Sequence, residues 1–165
     1  MIVACNSSPL ISLARAGQLD LLRQLFGQIH IADEVREEVV VRGAGRPAAE
    51  AVRAAEWIER HPATPAEEML RLRSQHALGG GELATVRLAR SLRADLAIID
   101  ERAARRLAQA DGLAVMGCVG LLETGFLRGR VPDLRRSYQE ILAQGIRIDR
   151  QILNRSLAAC GLPSL

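Results

Sequence analysis

The sequence predicts an α/β fold of three layers, a central parallel sheet flanked by helices, and two observations carry that prediction. Short apolar runs alternate with stretches of helical periodicity along the chain, and no Asn-Gly hairpin turn joins any two runs. Antiparallel neighbours are commonly joined by tight turns, whereas parallel strands need long crossovers, usually helical. A length of 165 residues fits a single domain over 1–165, and a hydrophobic content of 48% is enough for a core without staples.

The run IVAC is too short and too apolar for an exposed helix and breaks at Asn6, Ser7, Ser8 and Pro9, which predicts a buried strand and a turn. Ser8 is then expected to cap a helix whose first turn accepts Pro9 and which Gly17 ends. A second short helix follows over about 19–26. QIHI, residues 28–31, alternates as a strand, and Asp33 is placed to cap the helix EVREEVVV. Residues 42–47, with Gly43, Gly45 and Pro47, form a loop; 48–57 reads as helix, 58–63 is ambiguous, and a helix runs from Pro65 to about His76.

Three glycines, Gly79 to Gly81, precede a patterned helix in which Leu83, Val86, Leu88 and Ala89 recur at three- and four-residue intervals. LAIID, residues 96–100, is the clearest strand, uniformly apolar as a central strand covered on both faces must be. Asp100 ends it and is expected to cap the helix ERAARRLAQA. A short strand over 113–115 and helices over about 118–127, 133–143 and 149–159 complete the chain, without repeats or low-complexity segments.

Composition excludes several function classes. The only aromatic residues are Phe26, Trp57, Phe126 and Tyr138, too few for a base-stacking platform. Cys5, Cys118 and Cys160 are odd in number and lack the CxxC spacing of zinc or redox motifs, so a reducing, cytoplasmic setting is expected. No signal pattern precedes the first apolar stretch and no run nears the roughly 20 residues of a membrane span. All 22 basic residues are Arg, but a net charge of +3 is a modest footprint for nucleic acid. His30, His61 and His76 lack metal-ligand spacing and read as structural or surface residues.

In open α/β sheets, ligands bind beyond the carboxyl ends of the strands. Asn6 follows the first strand and Asp100 the strongest one, so both face one crevice if those strands are neighbours. Glu38 lies in the helix after the second strand, and Glu82 opens the helix after the triple glycine. Each has an ordinary explanation taken alone: capping for Asp100, the helix dipole for Glu82, solvent for Glu38 beside Glu34 and Glu37. Arg102, Arg105 and Arg106 follow Asp100 at helical spacing, either as a solvated face or as charge directed at a nucleic-acid backbone. The triple glycine lacks the Lys-Ser/Thr of a phosphate-binding loop.

The ordered set VACNSSPLISL, IADEVREEV, GGGELATVRLA, LAIIDERAARRLA and VGLLETGFLRG resembles the PIN-domain superfamily. More narrowly it is similar to a prokaryotic PIN-like subgroup of predicted nucleic-acid-binding proteins. The resemblance covers residues 2 to about 157, and NSSPLI, GGGE and IIDERAAR are its most specific pieces. It implies a PIN-like fold and a Mg²⁺- or Mn²⁺-dependent endoribonuclease, with Glu38, Glu82 and Asp100 as metal ligands and Asn6 as a neutral fourth member of the catalytic set. Ser8 matches a hydroxyl residue that supports the metal site in the family. RNA as substrate, a small antitoxin partner and a homodimer are further implications, since many such proteins are toxins of toxin-antitoxin pairs.

One position departs from the family pattern. Active PIN nucleases typically carry Asp where this chain has Asn6, which lowers the negative charge available to a cation. The alternative that follows is a catalytically degenerate PIN-like protein that binds RNA or a protein partner without cleavage. A receiver-like signalling domain, which needs paired acids near the first strand and a late Lys, is disfavoured by the absence of Lys.

Overall fold

The computed structural model describes residues 1–165 and builds one five-stranded, all-parallel sheet in the order β3-β2-β1-β4-β5. The chain runs β1 (Val3–Cys5), α1 (Ser7–Arg15), α2 (Asp20–Phe26), β2 (Ile29–Ala32) and α3 (Asp33–Arg36), which continues into a π-helical turn over Glu37–Val41. It then runs α4 (Pro47–Ala54), β3 (Ile58–His61), α5 (Ala66–Gln75), α6 (Gly80–Ser91), β4 (Leu96–Ile98), α7 (Arg102–Ala110), β5 (Val115–Met116), α8 (Cys118–Leu127), α9 (Leu134–Ala143) and α10 (Arg150–Ala159). No helix is long and apolar enough to cross a membrane.

Alternation along the central strands sorts the two faces. Val3, Cys5, Ile29, Ile31, Leu96 and Ile98 join a core with Leu10 and Leu13 of α1, Leu121 and Leu122 of α8, and Tyr138 of α9. Ala4, Ala97 and Ile99 face the other way, against Val86 and Ala89 of α6 and Ala104 and Ala108 of α7. The second layer is built largely of alanine, which lets α6 and α7 approach the sheet closely. Full burial of a Leu or Ile contributes about 1.5–3 kcal/mol, so the first face supplies most of the hydrophobic stabilisation.

Several local expectations are corrected. The first helix is capped by the extended backbone of Asn6, and Ser8 lies exposed inside its first turn. Asp33 is the first residue of α3, after Ala32, and pairs with Arg60 at 2.6 Å. The helix expected to reach 57 ends at Ala54 because the chain turns into β3, an edge strand that the sequence left ambiguous. Asp100 does not cap α7: Glu101 does, accepting from the Ala104 N–H at 2.6 Å. Asp133 and Asp149 cap α9 and α10 through their side chains.

Candidate metal centre at the carboxyl ends of the central strands

β1 pairs with β4 in the register Val3↔Leu96, Ala4↔Ala97 and Cys5↔Ile98. The chain leaves β1 toward β2 and β3 on one side and returns to β4 and β5 on the other, so the winding reverses between β1 and β4. Crevices in open α/β sheets form at such switch points. Asn6 sits there directly after β1, its N–H donating to Ile98 O at 3.0 Å, and Asp100 follows two residues after the paired Ile98.

Asn6 is 2% exposed. Its Oδ1 lies 3.3 Å from the Thr85 hydroxyl, whose single proton it shares with the nearer Gly81 O at 2.8 Å. Asn6 is thus tied to the first turn of α6. Glu38 reaches the same turn from the π-helical segment, where Arg42 N–H bonds Glu37 O at 2.9 Å, five residues back. Such π turns are frequent at functional sites because the extra residue re-aims a side chain. The Glu38 carboxylate accepts a short hydrogen bond from Ser7 and lies against Gly81, where a Cβ would stand 2.5 and 2.7 Å from its oxygens.

The glycine run is therefore a place for acids at the start of a helix. Gly81 leaves room for Glu38, and Glu82 folds back over Gly79. Carboxylates at a helix N-terminus are favoured by its macrodipole and unpaired N–H groups. The hydroxyl that meets an acid here belongs to Ser7; Ser8 instead lines an open cleft of about 780 Å³. Of the four predicted site residues only Asp100 lines that cleft, together with Ser12, Arg105, Glu123, Thr124 and Arg147.

Asp100 Oδ1 accepts from the Cys118 N–H, the first residue of α8, at 2.6 Å. Burial pushes its carboxyl above the ordinary value, while the Cys118 hydrogen bond and the Arg105 guanidinium oppose that rise. Nearby, Cys5 and Cys118 are raised by burial and by the Asp100 charge, so both thiols stay protonated and inert at neutral pH. Arg105 is partly buried beside Asp100, whereas Arg102 and Arg106 are exposed on α7.

None of Glu38, Glu82 and Asp100 takes part in an ion pair within 4 Å. Arg73 packs over Gly80 without pairing either glutamate. The donors are three carboxylates and one amide, all oxygen, the set that hard divalent cations take. They are not drawn as tight as a closed metal cage. The one group of three His, Cys, Asp or Glu residues with ligand atoms all within 4.8 Å is His30, Glu59 and His61, on β2 and β3. The histidines lack metal-ligand spacing along the chain, yet parallel pairing of β2 with β3 brings residues 30 and 61 together, a proximity that depends on register.

The fold defines a class: an open, all-parallel five-stranded α/β protein with Asn6 and Asp100 after the paired strands β1 and β4, and with Glu38 beside the first turn of α6 that also bears Glu82. The family described as PIN domain matches residues 2–161, and the chain belongs to it. PIN domains have a nuclease-type fold and generally use divalent metals. No curated protein matches the chain.

Proposed function

We propose that this chain is a Mg²⁺- or Mn²⁺-dependent endoribonuclease, with Glu38, Glu82 and Asp100 holding the cation and Asn6 adding a neutral oxygen. The observation that carries the reading is that Glu38, Glu82 and Asp100 take part in no ion pair, although burial shifts Asp100. A partly buried carboxylate with hydrogen bonds but no ion pair is still disfavoured relative to water, and a cation beside it offsets that cost.

A bound Mg²⁺ or Mn²⁺ supplies Lewis acidity to a phosphate oxygen and lowers the pKa of a water. The chain's own residues prepare the site around it. Ser7 holds Glu38, Thr85 contacts the Asn6 amide oxygen, and the Cys118 N–H holds Asp100, so three of the four proposed ligands are oriented by a second group. Arg105 and Arg147 in the adjoining cleft give a phosphodiester backbone a cationic wall, and the exposed Arg102 and Arg106 extend it along α7. RNA is the proposed substrate, and the resemblance to toxin-like PIN proteins supports a small antitoxin partner and a homodimer in the cytoplasm.

The test is cleavage of RNA by purified protein in Mn²⁺, run beside Asp100→Ala. Loss of cleavage in the variant is expected; equal activity in the two proteins removes the assignment. Asn6 favours a second reading, a PIN-like protein that binds RNA or a protein partner without cutting. On that reading Mn²⁺ affinity does not depend on Glu82 or Asp100, which calorimetry of the corresponding alanine variants measures.

A further inference from the structure

β2 and β3 pair in parallel with His30 opposite Glu59 and Ala32 opposite His61. Glu59 and His61 are two apart on the edge strand and so share one face of the pleat, the face that His30 presents from β2. His30 Nδ1 lies 3.0 Å from His61 Nε2. The Glu59 carboxylate straddles them, with Oε2 3.7 Å from His30 Nδ1 and Oε1 3.6 Å from His61 Nε2. The rings are inclined at 49° with centroids 5.1 Å apart. Both imidazoles are mostly covered, at 14% and 18% side-chain exposure, whereas the carboxylate is 46% exposed.

A hydrogen-bonded pair of neutral imidazoles explains the 3.0 Å separation alone. It does not explain Glu59, whose oxygens stand beyond hydrogen-bond length from both nitrogens. Tetrahedral zinc with ligands at about 2.0–2.2 Å has ligand-to-ligand edges of roughly 3.3–3.6 Å. The imidazole nitrogens, 3.0 Å apart, stand close to that edge; each Glu59 oxygen lies 3.6 or 3.7 Å from one of them, and one ligand atom from each residue falls within 4.8 Å of the other two.

We propose that His30, Glu59 and His61 form a second metal site that takes one Zn²⁺ or a similar borderline transition ion, clamping the edge strand β3 to β2. The site differs in kind from the carboxylate centre: two imidazoles and a carboxylate select Zn²⁺, Co²⁺ or Ni²⁺, whereas the all-oxygen set selects Mg²⁺ or Mn²⁺. Three protein ligands leave a fourth position for water on the exposed side. β3 is an edge strand, Ile58–His61, with two exposed residues, and a clamp there secures a border that backbone pairing holds from one side only. Ala32, opposite His61, directly precedes α3 and the segment bearing Glu38, so the clamp sits at the base of one arm of the carboxylate centre.

The experiment uses the full chain stripped of metal with a chelator, then titrated with Zn²⁺ by calorimetry and with Co²⁺ by visible absorption. In excess Mg²⁺, which fills the carboxylate centre, one equivalent of Zn²⁺ binds, Co²⁺ gives the intense bands of a four-coordinate centre, and Zn²⁺ raises the melting temperature. His61→Gln weakens Zn²⁺ binding at least about tenfold, and Asp100→Asn leaves it unchanged. If His61→Gln fails to fold by circular dichroism, Glu59→Gln at the more exposed position serves in its place, with the same expected loss. Absence of Zn²⁺ binding, equal affinity in the ligand variants, or loss of binding in Asp100→Asn overturns the proposal. The last result would assign the ion to the carboxylate centre, so failure of this site and failure of the nuclease reading are read separately.

Discussion

Gly81→Ala separates the stability of this fold from the competence of its carboxylate centre. A Cβ at position 81 would stand 2.5 Å from Glu38 Oε1, 2.7 Å from Oε2 and 2.8 Å from Cδ. Ordinary van der Waals contact begins at 3.4 Å, so the nearest oxygen must retreat by about 0.9 Å. The carboxylate ends a flexible side chain and can move, but only by straining or breaking its hydrogen bond from Ser7. A misplacement near 1 Å in a ligating group costs on the order of 100-fold in rate. The helix itself gains, because alanine in place of glycine stabilises a helical position by about 0.5–1 kcal/mol. The expected outcome is a melting temperature equal to or above that of the parent, with Mn²⁺-dependent RNA cleavage down about 100-fold. Thermal melting and a cleavage time course on the same preparation measure both. Undiminished cleavage in a folded Gly81→Ala protein refutes the placement of Glu38 at the centre.

Further outcomes follow from other contacts. Burial raises the Asp100 pKa above its ordinary 3.8, so the stability linked to its protonation is complete below that value and is lost as pH rises through the raised one. Asp100→Asn keeps an acceptor for the Cys118 N–H and removes the buried charge, so in chelator at pH 7 it melts higher than the parent, and the gain closes as pH falls below 3.8. A gain that instead grows in acid contradicts the assignment. Asn6→Asp adds a fourth charge where Oδ1 already faces the first turn of α6, and Mn²⁺ affinity by calorimetry should rise by about tenfold. Tyr138 is fully buried, with its hydroxyl 2.7 Å from Ser156 Oγ and its pKa pushed up to about 12. Tyr138→Phe should cost about 1 kcal/mol in urea denaturation without affecting cleavage.

The elements most legible in the sequence were those whose burial is total. β1 and β4 lie in short apolar runs that end at Asn6 and at Asp100, and their length and flanking polar breaks favour buried strands over helices. β3 was not legible because an edge strand is half exposed: IERH carries Glu, Arg and His, which hydrophobic periodicity cannot distinguish from a loop. The caps slipped by one residue where two candidates adjoin. Asp100 and Glu101 are both acidic, and only the position of the α7 start gives the capping role to Glu101 and leaves Asp100 to the crevice.

The same one-residue ambiguity separates Ser7 from Ser8. The helix begins at once after Asn6, which turns Ser7 toward Glu38 and Ser8 toward the cleft. A shared crevice for Asn6 and Asp100 was conditional on their strands being neighbours, and β1 and β4 do pair. The π turn beneath Glu38 and the close approach of Glu38 to Gly81 have no signature in periodicity, since they depend on how α3 meets α6. The pairing of His30 with His61 depends on strand order and register, which spacing along the chain does not encode.

The central claim is that Glu38, Glu82 and Asp100 share one cation at the switch point. Anomalous diffraction at the manganese edge, from crystals grown with Mn²⁺, tests it most directly. The account predicts a peak beyond the carboxyl ends of β1 and β4, with an oxygen of each of the three side chains within about 2.5 Å. A peak bound by other residues with Asp100 outside its coordination shell would contradict it.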